Sequence, residues 1–350
     1  MATVCALNNY PLAKMWERSQ AGAIPAQHAW GVDALAAAGH HVVFAPFHEP
    51  AARNALARLT SRTRSVLGHL DQEAYALTRL RRFDALYCAD QTGLAGLALA
   101  RRVLPAMRLV SVVHHPLGNV ARRIAAARSD VLVCLSAALS ADLERALPRR
   151  RARIVHLPWG PDLTCPLYIP RGEANGVVSA GKSNRDLETL MRAVARTGAA
   201  GVNYDLEGRL SDRPGAVRLV RPGRGPGVDP DSPGGYLAHH AIADTAAAKI
   251  VAIPVLDPGR LTGLTEAIDA LALAKPMIAT RSPYFPFDIE AVGCGIWVDP
   301  GDVEGWERAL GRLLVDCDAR TEMGAAGRRF AEREWNYPAF CRGLAELIDA

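Results

Sequence analysis

Several features that would indicate common protein classes are missing from this 350-residue sequence. No run of about 18 apolar residues occurs, so no membrane-spanning helix is expected. None of the seven cysteines forms a Cys-x-x-Cys pair, which disfavours a zinc site and a disulfide framework. The first residues, MATVCALNNYPLAKMWERSQ, lack the basic start and apolar core of a secretory signal. We therefore expect a cytoplasmic protein with reduced thiols.

Two further absences narrow the function. The residues after the first predicted strand read NNYPLAK, without the Gly-x-Gly-x-x-Gly turn of nicotinamide-binding domains, so an oxidoreductase is disfavoured. Aromatic residues make up 6% of the chain, and none interleaves with the basic stretches, so nucleic-acid binding is not expected. The charge of +5 is mild and fits small anionic ligands better than a polyanion.

Short apolar runs alternate with helical patterns along the chain, as in parallel sheets covered by helices on both faces. The first half contains a predicted helix, Gln27–Ala38, and the predicted strands Ala2–Leu7, His41–Ala45, Ala85–Cys88, Leu109–Val113, Val131–Leu135 and Ile154–Leu157. Residues 159–173 are rich in proline and glycine and predict a linker. The second half has the predicted strands Gly176–Ala180, Tyr204–Glu207, Val217–Val220, Ile250–Val255, Pro276–Ala279 and Gly295–Val298. We therefore expect an α/β protein of two Rossmann-like domains that face a central cleft.

A basic turn opens the second domain, in the segment VSAGKSNRDLETLMRAV. Its predicted strand ends near Gly181, and Lys182 and Arg185 precede a helix that Asn184 or Asp186 can cap. Cations beside the free amides of a helix start suit a phosphate group. The alternative is a pair of solvated surface charges, because the spacing is not that of a P-loop.

A nearly all-apolar helix begins in the segment GLTEAIDALALAKPMIAT. Gly263 allows the backbone to approach a ligand closely, and the first amides of the helix favour an anion. Glu266 in the first turn can accept hydrogen bonds from two hydroxyl groups. The alternative is a first-turn carboxylate that only complements the helix dipole.

The order of these segments resembles that of the family 4 glycosyltransferases, which have the GT-B architecture, use nucleotide sugars and retain the anomeric configuration. The resemblance extends over most of the chain and includes the segments DVLVCLSAALSADLERALPRRRARIVHLPWGPD and GLTEAIDALALAKPMIATRSPYFPFDIEAVGCGIWVDPGDVEGWERAL. It implies an acceptor-binding domain over residues 1–165, a donor-binding domain over 174–333 and a last helix, 334–350, that returns to the first domain.

The resemblance also implies roles for individual residues. Lys182 and Arg185, beside Gly181, would hold the donor diphosphate and act in catalysis, and Glu266 would accept the ribose hydroxyls. The amides around Leu264 and Thr265, after Gly263, would meet the distal phosphate. The loop 258–263 would face the transferred sugar, and the region 221–236 would contact the base, for which uridine is the expectation at the level of the family.

One position departs from the pattern of that family. A second glutamate is expected eight residues before Glu266, but Pro258 stands there. Asp257 could replace the missing carboxylate after a shift of one residue. Arg260 in the same loop could contact a phosphate or an acidic sugar, or could simply face solvent.

The first domain offers candidates at the ends of its strands. LVSVVHHPLGN places His114 and His115 at a predicted carboxyl end, and the resemblance implies that His114 binds hydroxyls of the donor sugar. His115 is the second match and a candidate for the acceptor side. The loop Asn8–Gly31, with Gln27 and His28, would line the acceptor side. Its aromatic residues Tyr10, Trp16 and Trp30 could stack on an acceptor ring or could be buried.

From the resemblance we expect a hexose-type transfer to a small-molecule, glycan or lipid acceptor, with no cofactor. We also expect metal independence, because no Asp-x-Asp stretch is suited to holding Mg²⁺ or Mn²⁺. Peripheral membrane contact through the basic pattern Ala51–Leu70 is the weaker alternative to a solvated helix face.

A second hypothesis, motivated by Pro258, is a protein of this fold that binds a nucleotide or a partner with lost or weak catalysis. The oligomeric state is not predicted.

Overall fold

A computed structural model describes residues 1–47, 70–90, 96–97, 107–118, 120–148, 150–210, 216–221 and 238–349. The chain divides into two compact units. The first unit comprises 1–21, 26–159 and 337–350, and the second comprises 22–25 and 160–336. The predicted basic helix 51–70 and the predicted base-contacting region lie almost entirely outside the described residues.

The first unit contains a six-stranded parallel sheet in the order β2-β1-β3-β4-β5-β6. Its strands are β1 (Thr3–Leu7), β2 (His41–Phe44), β3 (Ala85–Cys88), β4 (Arg108–Val113), β5 (Val131–Cys134) and β6 (Arg153–His156). The inner strands are almost fully buried, which explains why they read as continuous apolar runs. The strand order reverses between β1 and β3, so ligands are expected beyond the carboxyl ends of these strands.

Six helices are described in the first unit: α1 (Leu12–Gln20), α2 (Val32–Ala37), α3 (Leu70–Leu77), α4 (Val120–Arg128), α5 (Ala137–Ala146) and α11 (Tyr337–Asp349). The last of these packs on α2, since the Tyr337 hydroxyl accepts from the Gly31 amide at 2.8 Å. The predicted helix Gln27–Ala38 is wrong in one respect. It is broken into a 3₁₀ turn, Ala26–Ala29, and α2, because Trp30 and Gly31 have φ angles of 56° and 81°.

The second unit contains a second six-stranded parallel sheet in the order β12-β11-β10-β7-β8-β9. Its strands are β7 (Asn175–Ser179), β8 (Gly201–Tyr204), β9 (Val217–Val220), β10 (Ala248–Ile253), β11 (Met277–Thr280) and β12 (Gly295–Val298). Successive residues of β10 pack into different cores, Ile250 into one and Val251 into the other. Both faces of the sheet are therefore covered, and the strand order reverses between the neighbours β7 and β10.

Five helices cover this sheet: α6 (Leu187–Thr197), α7 (Ala238–Ala246), α8 (Leu264–Ala272), α9 (Val303–Val315) and α10 (Cys317–Arg333). Aspartate side chains cap three of them, Asp186 on α6, Asp302 on α9 and Asp316 on α10, each by accepting a backbone amide three residues later. The helix α8 is buried along most of its length, including two acidic residues.

The predicted α/β class with two Rossmann-like halves is confirmed, and most predicted strands are present with bounds that differ by one or two residues. The predicted strand Tyr204–Glu207 is wrong in position, because the strand ends at Tyr204. The carboxylate of Asp205 accepts the amides of Arg209 and Leu210 at 2.8 and 3.0 Å. These bonds fold the chain into a turn where a strand was expected.

Candidate functional site

The basic turn after β7, Ala180–Asp186, is hereafter called the Gly181 turn. A Cβ atom built on Gly181 would lie 1.9 Å from Nε of Arg185. The guanidinium therefore lies directly against the glycine backbone, and only glycine leaves room for it. Nη1 of Arg185 also donates to the Ser183 carbonyl at 2.8 Å, which keeps the side chain folded back over its own turn.

Arg185 forms a buried ion pair with Glu266, in the first turn of α8. Nη2 of Arg185 donates to Oε2 of Glu266, and Nε lies 3.4 Å from Oε1. The side chains are only 7% and 3% exposed. Two residues predicted to hold different parts of a nucleotide sugar, the diphosphate and the ribose, are therefore in contact with each other.

The electrostatic environment of Glu266 is balanced between opposing effects. Burial raises the pKa of its carboxyl group, while Arg185 and the backbone amides of Gly181 and Ala180 favour the charged form. A buried pair of this kind is costly to break from one side, because the remaining charge has no water to solvate it. The pair thus ties the Gly181 turn to the start of α8.

Lys182 supplies a second cation in the same turn. Its side chain is exposed by surface area, yet burial among surrounding protein atoms lowers the pKa of its ammonium group. Because the residue as a whole is exposed, solvent screening limits this effect. A solvent-accessible ammonium beside a fixed guanidinium is a suitable pair for a phosphate ligand.

The start of α8 is shaped by Gly263, which has a φ of 87°. A Cβ there would lie 2.3 Å from Cγ2 of Ile253, so glycine is required both by conformation and by space. No side chain caps the helix at this residue. The amides of Leu264 and Thr265 follow Gly263 at the start of the helix. Because Gly263 has no side chain to accept from them, this end of the helix favours an anion.

The segment Leu256–Thr262, hereafter the Pro258 loop, contains the departure from the expected pattern. Asp257 is about half exposed and forms an ion pair with Arg260 at 2.8 Å. The Gly259 amide and Arg260 lower the pKa of the Asp257 carboxyl group. Asp257, which could replace the missing glutamate, therefore pairs with Arg260 within its own loop. The Pro258 carbonyl accepts from the Ser282 hydroxyl at 2.8 Å.

Asn184 is a residue of this site whose role the sequence did not indicate beyond a helix cap. Its φ is 56°, and its side-chain amide bonds to the Pro258 loop rather than to α6. Nδ2 donates to the Asp257 carbonyl at 2.9 Å and to Oγ1 of Thr262 at 3.0 Å, and Oδ1 accepts the Asp257 amide at 3.0 Å. Asparagine tolerates this backbone conformation better than most residues, which is the only local signal.

A second pair that the sequence did not reveal lies one turn further along α8. The Tyr168 hydroxyl donates to Oδ1 of Asp269 at 2.7 Å, and Asp269 is 4% exposed. Burial raises the pKa of the Asp269 carboxyl group to about 7, the Tyr168 hydrogen bond opposes this, and nearby Glu266 adds to it. The helix α8 thus carries two buried carboxyl groups, Glu266 paired with Arg185 and Asp269 bonded to Tyr168.

In the first unit, His114 lies at the carboxyl end of β4, as predicted. Its Nε2 is 2.8 Å from the Ala89 carbonyl, and its ring packs edge-on against Trp30. His115, next to it, is exposed. Trp30 is itself buried and stacks on Trp159 with centroids 4.5 Å apart, so the buried alternative holds for this aromatic residue.

The predicted acceptor-side residues of the first unit differ in exposure. Gln27 is fully buried, and its backbone carbonyl accepts from Nε1 of Trp159 at 3.1 Å. His28 is half-buried, with its ring edge-on to Trp159. Tyr10 donates its hydroxyl to the His28 carbonyl at 3.0 Å. His28 is thus less deeply buried than Gln27, whose backbone serves the packing of the loop.

In the part of the chain that the structure describes, no three His, Cys, Asp or Glu side chains group closely enough to hold a metal ion. Within the same residues, no helix combines the length and apolar character needed to cross a bilayer.

Comparison with curated proteins finds relatives for part of the chain, while no protein-family model matches it. It is 31% identical over 115 residues to a GDP-mannose-dependent α-(1-6)-phosphatidylinositol monomannoside mannosyltransferase of Mycobacterium tuberculosis, covering 32% of this chain and 29% of that protein. It is 31% identical over 172 residues to a D-inositol 3-phosphate glycosyltransferase of Corynebacterium kroppenstedtii, covering 46% of this chain and 37% of that protein. The chain thus spans about a third of the length of these relatives.

Solved structures match the chain over its whole length. HepE of Anabaena, in complex with UDP-glucose, has a TM-score of 0.69 at 14% identity and full coverage of both chains. Sucrose-phosphate synthase of Thermosynechococcus elongatus has a TM-score of 0.69 at 17% identity, covering 99% of this chain and 98% of that one. At such identities the match shows the fold, and the predicted GT-B architecture is confirmed. The names of the relatives likewise confirm the resemblance to glycosyltransferases drawn from the sequence.

Proposed function

We propose that the protein is a retaining, metal-independent glycosyltransferase that moves a hexose-type sugar from a nucleoside diphosphate to a hydroxyl acceptor. The observation that carries this proposal is the Arg185 guanidinium, fixed on Gly181 beside Lys182 and next to the start of α8. These groups follow β7 and β10, the neighbouring strands between which the strand order reverses. The glycosyltransferase names of the relatives and the UDP-glucose bound by HepE support a nucleotide-sugar donor, for which a UDP-sugar is our first choice.

The diphosphate is assigned to Lys182, Arg185 and the amides of Leu264 and Thr265. Two cations and a helix N-terminus together supply positive charge without a bound metal. Glu266 holds the guanidinium in place, and the ribose hydroxyls bind at the same carboxylate once the nucleotide enters. Its two oxygens have enough lone pairs to accept from Arg185 and from a hydroxyl at the same time.

The chemical step breaks the bond between the anomeric carbon and the phosphate oxygen, and forms a bond from that carbon to the acceptor oxygen. The proton of the acceptor hydroxyl passes to the departing phosphate oxygen on the same face, so the anomeric configuration is retained. Negative charge grows on the phosphate as the bond breaks, and Lys182 and Arg185 stabilise this charge. His114 in the first unit is assigned to the hydroxyls of the donor sugar.

The acceptor is proposed only as a class, a hydroxylated small molecule, glycan or lipid. The relatives are named for inositol-containing acceptors, which makes inositol, inositol phosphate and phosphatidylinositol suitable first compounds to test. GDP-mannose, named in one of these relatives, belongs beside UDP-sugars in the donor set.

One observation favours the second candidate, a nucleotide-binding protein with lost or weak catalysis. Pro258 stands where a carboxylate is expected, and the nearby Asp257 carboxylate is held by Arg260 and the Gly259 amide. If no carboxylate reaches the sugar, the donor can bind without being activated.

Nucleotide release separates the two candidates. The protein is incubated with UDP-glucose, UDP-N-acetylglucosamine, UDP-glucuronate and GDP-mannose, each with and without the acceptor set, and released diphosphate is measured. We expect acceptor-dependent release with one donor, unchanged by a chelator, and a product whose anomeric configuration matches that of the donor. Thermal stabilisation by UDP or GDP without turnover of any donor would favour the inactive binder.

The variant Arg185→Met tests whether the observed site carries the activity. It should lower kcat by about 100-fold or more, because it removes charge that acts on the leaving group. The matched control is Arg196→Met in α6, whose guanidinium forms exposed ion pairs with Glu304 and Glu307 and should leave turnover unchanged. Equal loss in both variants would contradict the assignment.

A further inference from the structure

Asn184 is the point at which the Gly181 turn and the Pro258 loop are joined. Its side chain makes three hydrogen bonds, two to the backbone of Asp257 and one to the Thr262 hydroxyl. These two residues lie near opposite ends of the loop. One amide group therefore fixes both ends of the segment between them.

Backbone hydrogen bonds at Asn184 and Asp186 also join the Gly181 turn to the chain that leads into the Pro258 loop. The Asn184 carbonyl accepts the Leu256 amide at 3.1 Å, and the Asp186 amide donates to the Pro254 carbonyl at 3.2 Å. Arg185 and Val255 form an antiparallel bridge between these contacts. The turn that bears both cations and the chain that leaves β10 are thus paired residue against residue.

The pairing requires the φ of 56° at Asn184. This conformation lets one residue present its side chain and its carbonyl to the same loop. An aspartate there would keep the acceptor for the Asp257 amide and lose both donors. A glycine would keep the conformation and the carbonyl bond and lose all three side-chain bonds.

We propose that Asn184 is a positioning residue of the donor site, which sets the distance between the two phosphate-binding cations and the loop assigned to the transferred sugar. This inference rests on the proposed function and adds to it. This positioning role follows from the sequence of the loop, in which Pro258 stands where a glutamate is expected. Without that side chain to bind the sugar, the backbone of the loop must be held in place by a group outside it.

The test compares binding with turnover in Asn184→Gly. Affinity for UDP alone, measured by calorimetry, should change by less than about threefold, since Lys182, Arg185 and the start of α8 are untouched. Turnover with the active donor should fall by about 10-fold to 100-fold, because a misplaced loop no longer aligns the sugar. Asn184→Asp and Thr262→Val, which lose fewer bonds, should show smaller losses of kcat in the order of bonds removed.

One control and two milder variants keep the result interpretable. Thr321→Val removes a hydroxyl bond on an exposed helix of the same unit and should leave both readouts unchanged. If Asn184→Gly does not fold, the milder variants Asn184→Asp and Thr262→Val decide the matter by the same two readouts. Wild-type turnover in all these variants would overturn the inference, and so would equal losses of UDP affinity and of kcat.

Failure of the proposed function gives a different pattern. If the wild-type protein turns over no donor, the glycosyltransferase proposal fails, while the inference is judged by binding alone. In that case Asn184→Gly should weaken a UDP-sugar relative to UDP, since only the sugar contacts the loop. An unchanged ratio of the two affinities would reject the inference independently.

Discussion

Arg185 and Glu266 lie 81 positions apart in the sequence, and the guanidinium of one donates to both oxygens of the other in a setting that solvent scarcely reaches. The pair joins the turn after β7 to the helix after β10. These strands are neighbours, and the strand order reverses between them. The pair therefore lies where the topology predicts a ligand site. Lys182, at an exposed position of the same turn, is the second cation of this site.

Removing the acid of this pair should destabilise the second unit. In Glu266→Gln the Arg185 guanidinium stays buried without a counter-charge, which costs about 3–5 kcal/mol. Urea unfolding followed by tryptophan fluorescence measures the change. Glu304→Gln, in an exposed pair with Arg196, is the control and should leave unfolding unchanged. A Glu266→Gln protein as stable as the wild type would show that the pair contributes nothing to folding.

Gly181 should be intolerant of even one methyl group. In Gly181→Ala the new Cβ would overlap Nε of Arg185, 1.9 Å away, so the guanidinium must leave its place. We expect a loss of about 1–3 kcal/mol in stability and at least a 10-fold loss in UDP affinity. The control is Gly311→Ala in α9, where a Cβ meets nothing within 4 Å. If Gly181→Ala binds UDP as the wild type does, Arg185 is not a phosphate ligand in its observed position.

Local signals in the sequence predict most of the sheet but little of the contact network. The strands Ala85–Cys88, Val217–Val220 and Gly295–Val298 have the predicted bounds. The first is fully buried and reads as an apolar run, and the other two, at the edges of their sheet, are marked by valine, leucine, isoleucine and tryptophan. The turn at Asp205 was not predicted, because hydrogen bonds from the Arg209 and Leu210 amides to its carboxylate produce no periodic pattern in the sequence. The partners Asn184 with Asp257, and Tyr168 with Asp269, are 73 and 101 positions apart, and no pattern within one segment predicts such a contact.

Gly263 should be required for two separable reasons. In Gly263→Ala a positive φ costs about 1–2 kcal/mol, and the clash of the new Cβ with Ile253 costs about 1–3 kcal/mol more. Gly293→Ala isolates the first cost, since Gly293 has a φ of 75° and its Cβ would meet only Ala326 at 3.9 Å. Unfolding free energies of the two variants should therefore differ by the clash alone. Equal values would mean that Ile253 moves aside without cost.

Asp269 should make the stability of the second unit depend on pH near neutrality. Burial raises the pKa of its carboxyl group to about 7 in the folded chain, against about 3.9 when unfolded. Between these values the folded state binds more protons, so stability falls as pH rises from about 4 to 7 and then levels. Each unit of pKa difference corresponds to about 1.4 kcal/mol.

The variant Asp269→Asn removes this titration while keeping an oxygen for the Tyr168 hydroxyl. Its stability relative to the wild type should increase between pH 5 and pH 7 and level off towards pH 8 in urea unfolding. Comparison at each pH cancels the groups that the substitution does not affect, whereas Glu266, whose charge acts on Asp269, contributes to the slope. Asp318→Asn, at an exposed position of α10, should show a difference that does not grow with pH. A constant difference for Asp269→Asn as well would mean that its carboxyl group is already ionised at pH 5, with the Tyr168 hydrogen bond outweighing its burial.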